Sequence, residues 1–204
     1  MAPADYMSVL RTFREIFDRE ALLMFTSRYT LLVGAKNPLD LSYAQLDRRF
    51  RGLKPDVRQD LEKVGITTPA DMLKYIIFDG PGIDALVGND YPILTDDHTS
   101  VEFAELNRMG LSGTMPFILA RLLPHIHPEQ LASKYHIDPR LTRARVRFMR
   151  SKAMGTNDPL ERSYMAIREV HQASLLAPAD TDINNYKQIS TLEFLDMLHA
   201  RYDE

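Results

Sequence analysis

The sequence predicts a mainly α protein with one small β-hairpin, in the α+β class. Two observations lead to this prediction. Most of the 204 residues place apolar side chains at helical spacing, with Pro near helix starts and Gly after helix ends. Two short apolar runs, ALLMF at 21–25 and YTLLVGA at 29–35, are separated only by TSR, which is a hairpin-length gap. The 45% of hydrophobic and 26% of charged residues are ordinary for a globular protein with a core.

The hairpin follows an amphipathic helix that is predicted over residues 4–18. Val9, Phe13 and Phe17 share one face of this helix. The run TLLVGA is continuously apolar, so it is predicted as a strand buried on both faces in the middle of a sheet. An isolated two-stranded hairpin is marginal in water and would leave unpaired backbone groups along an edge. The hairpin is therefore expected to need a cover or a partner strand.

From residue 39 onward the sequence predicts helices separated by short turns. The predicted helices cover 42–52, 54–65, 67–80, 82–88, 101–110, 114–123, 128–135, 139–153, 158–177 and 184–201. GPG at 80–82 is predicted as a loop with no strand before it. The last two helices form a helical hairpin with a LAPAD turn, which resembles a single tetratricopeptide-type unit or an ordinary αα-hairpin.

Two segments carry a resemblance to a known family. The stretch LRTFREIFDREALLMFTSRYTLLVGAKNPLDL resembles the end of a spermidine-synthase-like (aminopropyltransferase-like) domain, where a late helix precedes a two-stranded hairpin. PILTDDHTSVEF is similar to the Asn-Thr-Asp-Asp-x-Pro-x-Leu-Glu-Phe segment of the large fused members, with Leu94 in place of Asn and Thr99 or Ser100 in place of Pro. The resemblance covers residues 4–34 and 86–104 by motif. It extends to the helical tail that fused members often carry.

The resemblance implies a remnant of a Rossmann-like, methyltransferase-type sheet followed by an irregular helical bundle. The family's nucleotide-binding turn, ribose-binding acidic residue and catalytic Asp lie before the helix with which this chain begins. No catalytic residue and no cofactor is therefore predicted here. The implied function is a non-catalytic C-terminal portion that assembles or completes an aminopropyltransferase-type domain. The predicted regions are 1–38 (terminal helix and hairpin), 39–107 (helical extension) and 108–204 (C-terminal helices).

The aspartate cluster is the first candidate site. Asp96 and Asp97 follow Thr95, and Glu102 lies a few residues on. Hard cations prefer such oxygen ligands, although the spaced carboxylates and Gly of a Ca²⁺ loop are missing. An Asp next to a His could act as a general base, and Thr95 or Asp96 could equally form a turn or cap. The resemblance adds a third interpretation, in which Thr95, Asp96, Asp97 and Glu102 flank the substrate in the complete protein.

The second candidate is a row of arginines. Arg140, Arg143, Arg147 and Arg150 fall at i, i+3, i+7 and i+10, so they share one helical face that could bind phosphates. They could instead pair with acidic neighbours such as Asp158 or Glu161, or remain solvated. The net charge of −3 and the lack of an aromatic stacking platform argue against nucleic acid.

The amino-acid composition excludes several kinds of site and of protein. The absence of Cys excludes disulfides, thiolate nucleophiles and zinc–thiolate sites, and no metal site is predicted. The apolar runs are too short to span a bilayer, so we expect a cytoplasmic protein, tethered if the parent protein is membrane-fused. The expected partner is a second copy or an N-terminal partner, bound through the hairpin at 20–35. The alternative function is a stand-alone helical protein-interaction module.

Overall fold

The computed structural model describes residues 3–26, 29–95, 114–153 and 158–202. These residues form a mainly helical protein with a small antiparallel sheet, which confirms the α+β prediction. The chain divides into two compact units. The sheet unit comprises 1–39 and 76–126, and the helical unit comprises 40–75 and 127–204.

The elements follow one another in a simple order. They are α1 (Pro3–Ile16), β1 (Glu20–Phe25), β2 (Thr30–Ala35), α2 (Tyr43–Arg51), α3 (Pro55–Lys63), α4 (Pro69–Leu73), β3 (Ile76–Asp79), α5 (Gly80–Val87), α6 (Thr114–Leu122), a 3₁₀ turn (Leu123–His125), α7 (Pro128–Tyr135), α8 (Pro139–Lys152), α9 (Pro159–Leu176) and α10 (Thr181–Tyr202). The prediction for 101–110 lies outside the described residues. The other helix predictions are confirmed except the one over 67–80.

The sheet has the strand order β2-β1-β3, with both pairs antiparallel. The predicted hairpin is present, with Glu20 opposite Ala35 and Phe25 opposite Thr30. β3 pairs with the other edge of β1, where an irregularity between Leu23 and Met24 shifts the register. The sheet therefore has one strand more than the sequence predicted.

The prediction that β2 is the buried central strand was wrong for the described chain. β1 is central, and Ala21 and Leu23 are fully buried in it. β2 lies at an edge, with Leu31 and Val33 exposed. An uninterrupted apolar run indicates burial on both faces, but β3 takes the free edge of β1 and leaves β2 outside.

β3 corrects the prediction of one helix over 67–80. Thr68 and Asp71 form a capping box that starts α4, which ends after only five residues at Leu73. The Tyr-Ile-Ile-Phe run that follows is rich in the β-branched and aromatic side chains that favour strands. GPG at 80–82 is consequently preceded by a strand, against the prediction, and it opens α5 directly.

The sheet unit has its core between β1 and the helices α1 and α5. Met7 and Leu10 of α1 and Ile83 of α5 are fully buried. Phe13 and Phe17 stack with ring centroids 4.7 Å apart against Gly34 of β2. A Cβ atom on Gly34 would lie 2.4 Å from Phe17 Cγ. Only Gly therefore lets α1 approach the strand this closely.

In the C-terminal part of the helical unit, helices that are consecutive along the chain pack on one another. α7 packs on α8, α8 on α9, and α9 on α10. Asp158 caps α9 by accepting hydrogen bonds from the backbone N–H groups of Leu160 and Glu161. Phe148, Val170 and Ile183 are completely buried in this unit. Among the described helices, none combines the length and apolarity that a bilayer crossing requires.

Candidate functional site

The outer edge of β2 is the principal candidate surface. Within the residues that the structure describes, β2 pairs with β1 on one side and with no strand on the other. Leu31 and Val33 project from the same face of this edge strand and are 49% and 38% exposed. An edge strand presents a row of backbone N–H and C=O groups to which another strand can bind.

The opposite face of β2 is rigidly supported. Gly34 lies under the Phe13 and Phe17 rings of α1, and Tyr6 of the same helix is buried. Burial raises the pKa of Tyr6 from its ordinary value of 10.0 to about 12. β2 is therefore held in an extended conformation by packing on one face, while Leu31 and Val33 are exposed on the other and no strand of the described ranges pairs with its outer edge.

β2 carries few of the devices that natural edge strands use against unwanted pairing. Its six residues, TLLVGA, contain neither a charge nor a proline. Charged side chains and prolines are common ways to prevent edge pairing. Lys36 follows the strand rather than lying within it. The chemistry of this edge thus favours the binding of another strand.

A buried charge cluster is the second notable arrangement, and it lies within the helical unit. Lys74 and Arg145 both contact Oδ2 of Asp180, at 3.1 and 2.9 Å. Tyr75 donates a hydrogen bond of 3.0 Å to Asp182, whose carboxylate lies 3.6 Å from Arg145. We use the name buried charge cluster for these five residues.

The surroundings of Arg145 explain how a charge is accommodated there. Its guanidinium carbon lies 4.4 Å from the centre of the Tyr75 ring and 5.4 Å from that of Phe148, which are cation–π distances. Burial raises the pKa of Tyr75 to about 12, although the positive charge of Arg145 opposes this. Tyr75 therefore keeps its proton and donates a hydrogen bond to Asp182.

The buried charge cluster joins three elements of the helical unit. It links the end of α4 to the middle of α8 and to the first turn of α10. Asp180 also accepts a hydrogen bond of 3.2 Å from the N–H of Ile183, so it caps α10. Its carboxylate is already engaged by two cations and an amide. These contacts fix the packing of the three elements on one another.

The sequence did not predict this cluster, because its members are far apart along the chain. The only local signal was a polar residue in an apolar setting. Arg145 lies between Ala144 and Val146, off the face shared by Arg140, Arg143 and Arg147. The helical spacing therefore indicated that Arg145 lies away from the exposed face of α8, but it did not indicate which residues contact Arg145.

The predicted arginine row lies on α8 and is largely paired with carboxylates. Arg143 contacts Glu129 at 2.6 Å, and Arg147 contacts Glu169 at 3.0 Å. Arg150 lies 3.9 Å from the same Glu169. The partners come from α7 and α9, whereas the sequence suggested Asp158 and Glu161. Asp158 contacts Arg201 instead, at 3.8 Å.

Arg140 is exposed, and its backbone N–H donates to Asp138, the cap of α8. The pKa of Arg143 is raised by its hydrogen bond with Glu129, and that of Glu129 is lowered by the same contact. The two carboxylates neutralise much of the positive charge that a phosphate would require. This arrangement disfavours the anion-binding interpretation of the row.

The predicted aspartate cluster lies almost entirely beyond the ranges that the structure describes. Asp96, Asp97 and Glu102 lie outside the described residues, and Thr95 is the last residue before that gap. Just before it, the Leu94 N–H donates a hydrogen bond of 2.8 Å to Thr12 Oγ1 of α1. The described ranges contain no group of three or more acidic or histidine residues that could hold a metal ion.

The turn between β3 and α5 has the order strand, Gly-rich turn, helix that often binds phosphate. Here the Asp79 carboxylate caps the helix and accepts a hydrogen bond of 2.9 Å from the Gly82 N–H. A Cβ on Gly82 would lie 3.1 Å from that carboxylate and from the Phe78 ring. The helix start is thus occupied by the protein's own negative charge.

A polar groove of about 610 Å³ lies along α1 and α5 and involves Arg11, Arg14 and Asp84. Arg14 makes two hydrogen bonds of 2.8 Å to Asp84. Arg11 donates to the carbonyl oxygens of Asn89 and Tyr91. Because both guanidinium groups are already engaged, the groove offers no prepared anion site.

Comparison with known proteins adds no assignment. No model of a known family matches the chain, and no match was found among curated proteins or solved structures.

Proposed function

We propose that this chain is a non-catalytic portion of a spermidine-synthase-like protein that completes an aminopropyltransferase-type domain by adding its sheet to a larger one. The observation that supports the proposal best is the edge position of β2, which pairs with only one strand among the described residues and exposes Leu31 and Val33. The chain segments that resemble the family include this hairpin. A Rossmann-like sheet would place a neighbouring strand at this edge.

Strand addition is favoured by the backbone groups along the outer edge of β2. Backbone N–H and C=O groups at a sheet edge bind another strand with little rearrangement. A partner strand would remove part of the Leu31 and Val33 side chains from water. Burial of this apolar surface would stabilise the complex. The packing of Phe13 and Phe17 on Gly34 holds β2 extended beforehand, which reduces the conformational entropy lost on binding.

Two measurements test the proposal. The first is amide hydrogen exchange on the purified chain, with its mass followed by light scattering over a range of concentrations. We expect the outward-facing amides of β2 to exchange fast in the monomer and slowly in an assembly. Slow exchange of these amides in a chain that stays monomeric would show that the edge is already covered, and this would overturn the proposal.

The second measurement is complementation. The N-terminal part of a spermidine-synthase-like enzyme, ending before its last helix, is mixed with this chain and supplied with decarboxylated S-adenosylmethionine and a polyamine. We expect aminopropyl transfer with the natural chain and a marked loss with Val33→Lys, since an edge lysine blocks pairing. The matched control is Val57→Lys, at an exposed valine of α3. Equal activity of the two variants would contradict a role for β2.

A helical protein-interaction module is the second candidate function. The specific observation in its favour is the α9–α10 hairpin, whose helices pack closely and keep Tyr164 and Phe194 in ring contact at 6.2 Å. Apolar side chains remain exposed on both of its helices, including Leu175 and Leu192. A module of this kind would bind its partner equally well with the Val33→Lys change, which distinguishes it from strand addition.

A further inference from the structure

The outward face of α10 is the feature that the proposed function does not explain. At its centre Ile189, Leu192 and Leu195 are all exposed, and Leu192 is 63% accessible to solvent. Their spacing of three residues keeps them on one face of the helix. We name these three residues the α10 stripe. Large apolar side chains grouped on a surface commonly mark an interaction site.

The inward face of α10 is already fully used by the helical unit. Ile183 and Ser190 are buried, and the Tyr186 ring meets Phe148 edge-on at 5.4 Å between centroids. α10 is therefore apolar on two opposite sides, and only one of them is needed for the fold of this unit. A helix that is apolar all round is usually buried on both sides.

The α10 stripe has polar positions at both ends. Asn185 and Gln188 precede it, Asp196 and His199 follow it, and all four are exposed on the same helical face. A groove of about 620 Å³ runs beside Leu192 on the N-terminal side of the stripe. Its lining residues are Asn184, Lys187, Gln188, Thr191 and Leu192. The surface thus combines an apolar ridge with an adjacent depression.

We infer that the α10 stripe binds the same stripe of a second copy of this chain, with the two helices antiparallel. Ile189 and Leu195 lie three residues to either side of Leu192. A two-fold axis through Leu192 therefore sets Leu195 of the second copy level with Ile189, beside the groove. The same rotation sets Gln188 level with Asp196, so an amide donor faces a carboxylate. Such an isologous contact closes after two copies.

The helix dipole favours the antiparallel direction over the parallel one. Antiparallel packing sets the positive N-terminal end of each α10 dipole beside the negative C-terminal end of the other. Parallel packing would place like ends of the two dipoles side by side. This inference does not depend on the proposed function, since β2 belongs to the other unit.

The contact is expected to be modest in size. α10 has 22 residues, which corresponds to a length of roughly 33 Å. Only its centre is apolar, and interfaces at the small end of the known range form transient complexes. We therefore expect an equilibrium between monomer and dimer that shifts with concentration.

The first test is the solution mass of the full chain, measured by sedimentation equilibrium over a wide concentration range. We expect the natural chain to form a dimer and Leu192→Asp to remain monomeric. Leu175→Asp is the matched control, because Leu175 on α9 has the same 63% exposure but lies outside the stripe. A natural chain that stays monomeric, or a Leu192→Asp dimer as strong as that of the control, would overturn the inference.

The second test uses the absence of Cys from the natural chain, which makes every introduced Cys unique. In the antiparallel dimer Asn185 lies level with His199 of the other copy. Mixing Asn185→Cys with His199→Cys should therefore give an oxidised heterodimer. Each variant alone should stay uncross-linked, because its two copies of the Cys would be roughly 20 Å apart. Cross-linking of Asn185→Cys alone would indicate parallel helices and overturn the stated geometry.

Circular dichroism and thermal melting of each variant establish that it is folded. The β2 variant Val33→Lys separates the two proposals, since we expect it to keep the α10 dimer. If Val33→Lys abolishes the dimer while Leu192→Asp does not, then strand pairing at β2 accounts for self-association and the α10 inference is wrong.

Discussion

The two units of this protein use different chemistry to hold their elements together. The sheet unit relies on apolar contacts and on one very close approach, that of Phe13 and Phe17 to Gly34. The helical unit contains charges in its interior, where Lys74 and Arg145 converge on Asp180. Apolar packing tolerates small adjustments of shape, whereas a buried ion pair fails when one partner is removed. The two units should therefore respond differently to substitution.

The largest effect is expected in the helical unit. Arg145 is only 1% exposed, so Arg145→Ala leaves a cavity and takes one cation from Asp180 and Asp182. Breaking a buried pair costs about 3–5 kcal/mol. We expect the free energy of unfolding, measured with urea, to fall by about that amount. A change no larger than that of an exposed arginine variant would show that the cluster contributes little.

The next effect belongs to the sheet unit. Gly34→Ala would force a methyl group against the Phe13 and Phe17 rings, and overpacking of this kind costs about 1–3 kcal/mol. Gly52→Ala is the matched control, because the nearest atoms to its added Cβ are 3.5 Å away. We expect thermal unfolding to shift clearly for Gly34→Ala and little for Gly52→Ala. Equal shifts would mean that α1 moves away from β2 at no cost.

High pH should destabilise both units, because burial raises the pKa of tyrosines in each of them. The pKa values of Tyr6 and Tyr75 are raised to about 12. Because the pKa of each tyrosine is higher in the folded chain than in the unfolded chain, its contribution to stability is fully present below about pH 10. That contribution is lost as the pH rises through about 12. We expect the urea midpoint to fall over this range.

The control for the pH experiment is Tyr43→Phe, at an exposed position of α2. Tyr6→Phe and Tyr75→Phe should each reduce the alkaline loss of stability, since Phe cannot ionise. Tyr75→Phe also removes the hydrogen bond to Asp182, so it should lower stability at neutral pH as well. If neither variant changes how stability falls at high pH, then groups other than Tyr6 and Tyr75 cause the alkaline loss of stability.

The smallest effect is expected for the exposed arginines on the same helix as Arg145. Arg143 pairs with Glu129 at the surface, where solvent and salt weaken the attraction. We expect Arg143→Gln to leave the unfolding midpoint unchanged within experimental error. A clear fall in the unfolding midpoint that disappears in high salt would show that the exposed arginines of α8 contribute more to stability than their exposure suggests.

The same contrast explains what the sequence could and could not predict. Helices α1, α2, α3 and α7 to α10 follow from apolar spacing, Pro and Gly, which act locally. The hairpin follows from two apolar runs and a short gap. By contrast, the sequence predicted a helix where β3 lies, because Ile76, Ile77 and Phe78 fit the buried side of a helix or of a strand. The pairing with β1 decides for the strand, and β1 is distant in sequence.

The candidate surfaces were predictable to different degrees. The sequence predicted the hairpin itself, which is present, but it placed β2 rather than β1 at the centre of the sheet. That the hairpin is an assembly surface stays a prediction. The buried charge cluster was not predictable, since Lys74, Arg145 and Asp180 come from three separate segments. The exposed α8 arginines were placed correctly on one face, but their carboxylate partners on α7 and α9 depend on helix packing.

The order of the strands has a consequence for biosynthesis. Leu23 of β1 pairs with Phe78 of β3, and the whole of α2, α3 and α4 is made between them. During translation β1 and β2 leave the ribosome together, while the strand that completes the sheet emerges later. Until then β1 has an open apolar edge, and closing the intervening loop costs entropy. The nascent hairpin is therefore the segment most exposed to premature pairing, and the one for which chaperone binding would matter most.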